Sequence, residues 1–89
     1  MKFSPHHMLI EVFGPGCAKC NQSAEVAREF LSANDLDGEV VKHTKLDTMT
    51  ERGVLRTPTV MIDGTKIVAG RVLREKDLRA WVERENPGT

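Results

Sequence analysis

The sequence lacks any imbalance of charge and any long apolar run. Its 89 residues include 13 lysines and arginines against 13 aspartates and glutamates, so the formal net charge is zero. This balance gives no sign of electrostatic binding to nucleic acid or to an anionic membrane surface. No apolar run approaches the roughly 20 residues needed to cross a bilayer. We therefore expect neither nucleic acid nor membrane among the partners.

Internal repeats, linkers and low-complexity tracts are also absent, so the sequence predicts one domain with a single modest core. We assign residues 8–86 to this domain and residues 87–89 to a flexible tail. Residues 1–7 do not share the pattern, and they are interpreted as either a short native arm or a cloning remnant. They also lack the apolar core of a secretion signal, which leads us to expect a cytoplasmic protein.

Cysteine is scarce, and the only two, Cys17 and Cys20, lie three positions apart. A structural disulfide is disfavoured because so short a loop would constrain the unfolded chain little. A zinc site is disfavoured because no second C-x-x-C pair and no close His or Cys partner follows. We therefore predict a redox use and no metal site, although the structural and metal uses stay open.

The cysteines lie where a predicted strand, Met8–Phe13, meets a predicted helix, Ala18 to about Ala33. The first amides of a helix have no intrahelical acceptor and carry partial positive charge, which favours the thiolate of Cys17. Such a setting brings a cysteine pKa from about 8.5 down to roughly 3.5–7.5. Lys19 adds positive charge nearby. We predict that Cys17 attacks a disulfide and that Cys20, the less exposed cysteine, resolves the mixed disulfide.

Glu11 is the one charged residue in the first strand, six positions before Cys17. If it is buried, desolvation raises its pKa and it becomes a candidate proton shuttle to Cys20. If it points to an uncovered strand end, it is simply hydrated. The hydrated interpretation is the favoured one.

Periodicity and turn residues divide the rest of the chain into further strands and helices. They are a strand over about Glu39–Leu46, a helix over about Thr48–Arg52 capped by Asp47, strands at Val60–Ile62 and Lys66–Ala69 joined by an Asp63-Gly64 hairpin, and a helix over about Arg74–Glu85. The order predicts an α/β fold, β-α-β-α-β-β-α, with a four-stranded mixed sheet and helices on both faces. His43 is expected on the surface and Trp81 in the core.

Three motifs at these positions resemble those of the thioredoxin fold. They are Gly16-Cys17-Ala18-Lys19-Cys20 after the first strand, Arg56-Thr57-Pro58-Thr59 before the third, and Asp63-Gly64 with Gly70 around the hairpin. From Met8 to Glu85 the chain is similar to the short, glutaredoxin-sized thioredoxin-like proteins known as small redox-active disulfide proteins. The resemblance implies a cis peptide bond at Thr57–Pro58, facing the dithiol.

The resemblance also implies a function, a dithiol–disulfide oxidoreductase that acts on protein disulfides and is recycled by a thioredoxin reductase-type enzyme. Gly16, Thr57, Pro58 and Gly70 would form the substrate groove, and the only redox group would be the cysteine pair itself, with no further cofactor. We expect a monomer.

Some residues depart from the family pattern. Gly16 replaces a tryptophan, the residues between the cysteines are Ala18-Lys19, and Glu11 replaces an aspartate. The reduction potential and the partner therefore stay open. The alternatives are a glutaredoxin-like, glutathione-linked reductase and a carrier of soft metal (copper or zinc) that uses the same cysteine pair.

Overall fold

A computed structural model of the protein describes residues 8–16 and 18–85. The elements in chain order are β1 (Met8–Phe13), α1 (Ala18–Ala33), β2 (Gly38–His43), α2 (Leu46–Glu51), β3 (Thr59–Ile62), β4 (Thr65–Ala69) and α3 (Glu75–Glu85). This order confirms the predicted minimal thioredoxin-like α/β fold. The predicted arm (1–7), the tail (87–89) and Cys17 lie outside the described residues, so the bounds of the domain stay predictions.

The four strands form one mixed sheet in the order β2-β1-β3-β4. β1 runs parallel to β2 and antiparallel to β3, and β3 runs antiparallel to β4. In this register Phe13, the last residue of β1, lies opposite Thr59, the first residue of β3. The loop after β1 and the loop before β3 therefore meet at one edge of the sheet.

The sheet is covered on both faces because its central strands are apolar on both sides. One face packs against α1 and α3, and this main core includes Ile10, Val12, Ala27, Leu78 and Trp81. The other face carries a smaller cluster built from four buried residues: Phe13, Met49, Val54 and Met61. Met49 belongs to α2, so α2 covers this second face.

The main error in the predicted elements concerns the junction of β2 and α2. β2 ends at His43, and Leu46, the predicted last strand residue, begins α2 with its side chain 75% exposed. The residue before the helix is Lys45, which makes no side-chain cap bond, so the prediction of Asp47 as the cap is wrong. Asp47 lies instead in the first turn of α2, where a negative charge is also favourable.

The predicted Asp63-Gly64 hairpin is present, with positive φ at both residues (51° and 85°), as the tight turn between two twisted strands requires. Asp63 also exchanges two hydrogen bonds with the backbone of Leu9, at 2.9 and 3.0 Å. This hairpin therefore lies at the sheet edge where β1 begins, away from Cys20. Across residues 8–16 and 18–85, no helix has the length and apolar character needed to cross a membrane.

Candidate functional site

Cys20 is buried in the first turn of α1, with 2% of its surface exposed. Its sulfur lies directly against Gly14: a Cβ placed on Gly14 would come 2.0 Å from Cys20 Sγ. Only glycine fits at position 14 while the sulfur keeps its place. The first turn of α1 contains no acidic residue, so no carboxylate there offsets the positive end of this 16-residue helix.

The loop before β3 brings Thr57 and Pro58 to the same place. The Thr57–Pro58 peptide bond is cis. A Cβ on Gly14 would lie 3.7 Å from Thr57 Cβ, so both Thr57 and Cys20 lie close to Gly14. Pro58 is buried and Thr57 is exposed, so Thr57 lies at the surface close to the buried sulfur.

Gly70 lies beside the same loop. Its amide donates a hydrogen bond to the Pro58 carbonyl at 2.9 Å, and its φ is 85°. The side chain of Arg56 lies next to Gly70, since a Cβ on Gly70 would come 3.2 Å from Arg56 Cδ. The structure thus brings four of the predicted site residues together: Cys20, Thr57, Pro58 and Gly70.

Gly16 and Lys19 are both exposed on either side of the position of Cys17. The Gly16 carbonyl accepts a hydrogen bond from Asn21 Nδ2 at 3.4 Å, and Asn21 Oδ1 accepts one from Lys42 Nζ at 3.2 Å. Cys17 itself is outside the described residues, so its role as the attacking thiol stays a prediction.

Glu11 is buried, with 6% of its surface exposed, so the favoured interpretation of a hydrated carboxylate is wrong. Arg52 donates to both of its oxygens, Nη1 to Oε2 at 2.8 Å and Nη2 to Oε1 at 2.9 Å. The His43 ring lies against Oε2 at 3.0 Å. Charged hydrogen bonds of this bidentate kind are among the strongest in proteins.

These contacts also reverse the direction of the pKa shift that was expected for a buried Glu11. The Arg52 hydrogen bonds lower the pKa of this carboxyl below its ordinary value of 4.5 and outweigh the desolvation that raises it, with a smaller lowering from His43. In addition, Glu11 lies on the sheet face that α2 covers, whereas α1, which carries Cys20, packs on the Ile10 and Val12 face. Its pKa and position favour a structural role over a proton shuttle to Cys20.

His43 and Arg52 are the residues that the sequence analysis missed. The His43 ring stacks on Phe13 with centroids 4.6 Å apart, and Arg52 lies 5.2 Å above the centre of the same Phe13 ring. The parallel register places His43 beside Phe13 on β1, but this register is a property of the folded sheet and gives no signal in the sequence. No sequence signal existed for Arg52 either, which is 41 residues from Glu11.

The chain is similar to known thioredoxins. The model of the thioredoxin domain family matches residues 8–83. A thioredoxin of Methanothermobacter thermautotrophicus is 31% identical over 72 residues, which cover 81% of this chain and 94% of that protein. A thioredoxin of Methanocaldococcus jannaschii is also 31% identical over 72 residues, covering 81% and 83%.

A solved structure, that of a Staphylococcus aureus protein of unknown function, shows the same fold with a TM-score of 0.69 at 10% identity, covering 94% of this chain and 95% of that one. The family match spans nearly all of the described residues and includes Cys20, in the first turn of α1, and the loop that carries Pro58. The chain therefore belongs to the thioredoxin family.

Proposed function

We propose that this protein is a dithiol–disulfide oxidoreductase that reduces or exchanges protein disulfides through Cys17 and Cys20. The observation that carries the proposal is the position of the Cys20 sulfur, buried in the first turn of α1 against Gly14 and beside Thr57 of the cis Thr57–Pro58 loop. Membership of the thioredoxin family supports the same chemistry.

In the first step the Cys17 thiolate attacks one sulfur of the substrate disulfide. A mixed disulfide forms between Cys17 and that sulfur, and the other substrate sulfur leaves as a thiolate that takes up a proton. The positive end of α1 favours the thiolate of a cysteine at this position.

In the second step Cys20 loses its proton and attacks the Cys17 sulfur. A Cys17–Cys20 disulfide forms, and the remaining substrate sulfur leaves as a thiolate that takes up a proton in place of the one lost by Cys20. Two electrons have then passed to the substrate, and a thioredoxin reductase-type enzyme restores the dithiol. Burial of Cys20 suits this order, because the hidden sulfur reacts only after a substrate has joined Cys17.

The groove that receives the substrate consists of Gly16, Thr57, Pro58 and Gly70. Thr57 is exposed, and an extended substrate strand would pair with its backbone as an added β-strand does. Pro58 offers no amide hydrogen beside the cysteines, and the glycines leave room for a bulky partner. We propose that the protein works as a monomer in the cytoplasm, where a dithiol is kept reduced between turnovers.

An insulin-reduction assay with dithiothreitol tests the proposal. Wild-type protein should accelerate reduction over the reagent alone, and folded protein that gives no acceleration would contradict it. Cys20→Ser should accumulate mixed disulfides with the substrate, whereas Cys17→Ser, the matched control, should form none. Mixed disulfides formed equally by both variants would contradict the assigned roles.

Two further measurements on the wild-type protein distinguish the proposed function from the two alternatives, the metal carrier and the glutathione-linked reductase. Tight stoichiometric copper(I) or zinc binding without disulfide exchange would favour the metal carrier. The carrier fold that places a C-x-x-C after its first strand has the order strand-helix-strand-strand-helix-strand, which differs from the order observed here. Recycling by glutathione, with no turnover through a thioredoxin reductase, would favour the glutathione-linked reductase.

A further inference from the structure

Charge is distributed unevenly over a molecule whose formal net charge is zero. Three segments carry or adjoin Cys20 and Pro58, namely residues 14–21 (of which residue 17 is not described), 53–59 and 69–74. Together they contain four cationic side chains and no aspartate or glutamate: Lys19, Arg56, Arg71 and Arg74. We call the surface of these three segments the cysteine face.

The contacts of the site join these segments into one surface. Gly14, from the first segment, lies against Cys20 and close to Thr57 of the second. Gly70, from the third, donates to the Pro58 carbonyl and lies against the Arg56 side chain. Arg56 is thus placed at the groove itself, one residue before Thr57.

Three of the four cations are not neutralised. Lys19, Arg56 and Arg74 are exposed, and none of them forms an ion pair with any residue that the structure describes. Arg71 forms an ion pair with Asp77, to which it donates hydrogen bonds of 2.8 and 2.9 Å. The exposed carboxylate closest in sequence, Glu75 at the start of α3, is itself paired with Arg79.

Four acidic residues lie at the opposite edge of the sheet, where β1 begins: Asp35, Asp37, Glu39 and Asp63. The Asp37 carbonyl accepts a hydrogen bond from the Met8 amide, and Asp63 binds the Leu9 backbone. Asp35 and Glu39 flank the same end of β2 and are exposed. Positive charge that is unpaired within the described residues therefore lies near Cys20, whereas these four acidic residues lie at the far edge of the sheet.

We propose that the cysteine face selects protein substrates in which aspartate or glutamate flanks the disulfide, and that Arg56 is the main residue of this selection. The inference rests on the proposed function and names its substrate class. Charges at the rim of an interface chiefly change association rate and partner choice, and opposite charges favour the encounter. Arginine in addition matches a carboxylate with two parallel hydrogen bonds, which lysine does not.

The test uses three disulfide-linked peptides that differ only in the residues beside their cysteines, which are glutamate, glutamine or lysine. The measured quantity is the second-order rate constant for exchange with the reduced full-length protein. We expect the acidic peptide to react about tenfold faster than the basic one at low salt. The difference should shrink strongly at about 1 M salt, where the screening length is about 3 Å.

Arg56→Gln should reduce the preference for the acidic peptide about threefold, and Arg56→Lys should restore only part of it. The matched control is Arg28→Gln, which removes an exposed cation of α1 from a surface depression that Asp35 also lines. This control should keep the wild-type preference. Should Arg56→Gln fail to fold, Lys19→Gln replaces it as the test of the cysteine face.

The outcomes separate the two proposals. Measurable exchange at equal rates with all three peptides would overturn the selection while leaving the proposed function standing. No exchange with any peptide would contradict the proposed function itself. A preference that Arg56→Gln and Arg28→Gln reduce equally would overturn the assignment to Arg56 and to the cysteine face.

Discussion

Gly14 is the single residue on which the position of the Cys20 sulfur depends. A side-chain atom at position 14 would lie 2.0 Å from Cys20 Sγ, a distance that real Cβ atoms essentially never show, and 3.2 Å from Cys20 Cβ, which is a tight contact. Both groups belong to rigid parts of the fold, since Cys20 is in the first turn of α1 and Gly14 follows β1 directly. The amide of Gly14 is also held, because it donates to the His43 carbonyl at 3.0 Å.

Gly14→Ala should therefore destabilise the protein by about 1–3 kcal/mol, the usual cost of an overpacked core, and should slow disulfide reduction. Urea denaturation measures the first effect and the insulin assay the second. The double variant Gly14→Ala/Cys20→Ala removes the sulfur that clashes. It should recover much of the lost stability but no activity, and a single variant as stable as wild type would contradict the packing argument.

At the scale of elements, the Arg52–Glu11 pair joins the end of α2 to the centre of the sheet. Arg52 follows Glu51, the last residue of α2, and Glu11 lies in the middle of β1. The guanidinium also lies over Phe13 and donates to the sulfur of Met61 at 3.6 Å. One side chain therefore ties a six-residue helix, too short to be stable alone, to two strands.

Arg52→Gln should destabilise the protein by about 2 kcal/mol, because it leaves a buried carboxylate with His43 as its remaining partner. The cost is smaller than for a fully buried pair, since 36% of the Arg52 side chain is exposed and water replaces part of the interaction. Urea denaturation of the two single variants and of the double variant Glu11→Gln/Arg52→Gln gives the coupling free energy between Glu11 and Arg52. A double variant no more stable than Arg52→Gln would show that the charge of Glu11 is not the cause.

At the scale of the whole molecule, the ionisation of Glu11 makes stability depend on pH. The pKa of Glu11 is lower in the folded protein than its ordinary value of 4.5. A lowered folded pKa means that the unfolded chain takes up the proton first, so the stabilisation is complete above about pH 4.5. It is lost as the pH falls from there through the folded pKa.

Wild-type protein should therefore lose stability steadily below about pH 4.5, whereas Glu11→Gln should lack this component of the loss. Asp77, whose pKa is lowered by Arg71, contributes in the same direction and remains in both proteins. Free energies of unfolding in urea, measured at several pH values below 7, give the comparison. Parallel curves for the two proteins would contradict the lowered pKa of Glu11.

Much of the fold could be predicted from local pattern. β1 and α1 have the bounds predicted from sequence, because the β-branched and aromatic content of a strand and the helical spacing of apolar residues are properties of neighbouring residues. The junction at Leu46 could not be predicted in this way. An apolar residue after a strand is predicted to continue that strand. Only the structure shows that α2 has already begun at Leu46, whose side chain is exposed.

The sequence by itself determined the order of the elements, the family resemblance and the place of the C-x-x-C pair between a strand and a helix. Only the tertiary structure decided that Glu11 is buried and ionised, because Arg52 and His43 reach it from 41 and 32 residues away. It also decided that the Cys20 sulfur lies against Gly14 and beside Thr57. Periodicity reports which face of an element is apolar, whereas these contacts depend on which elements meet.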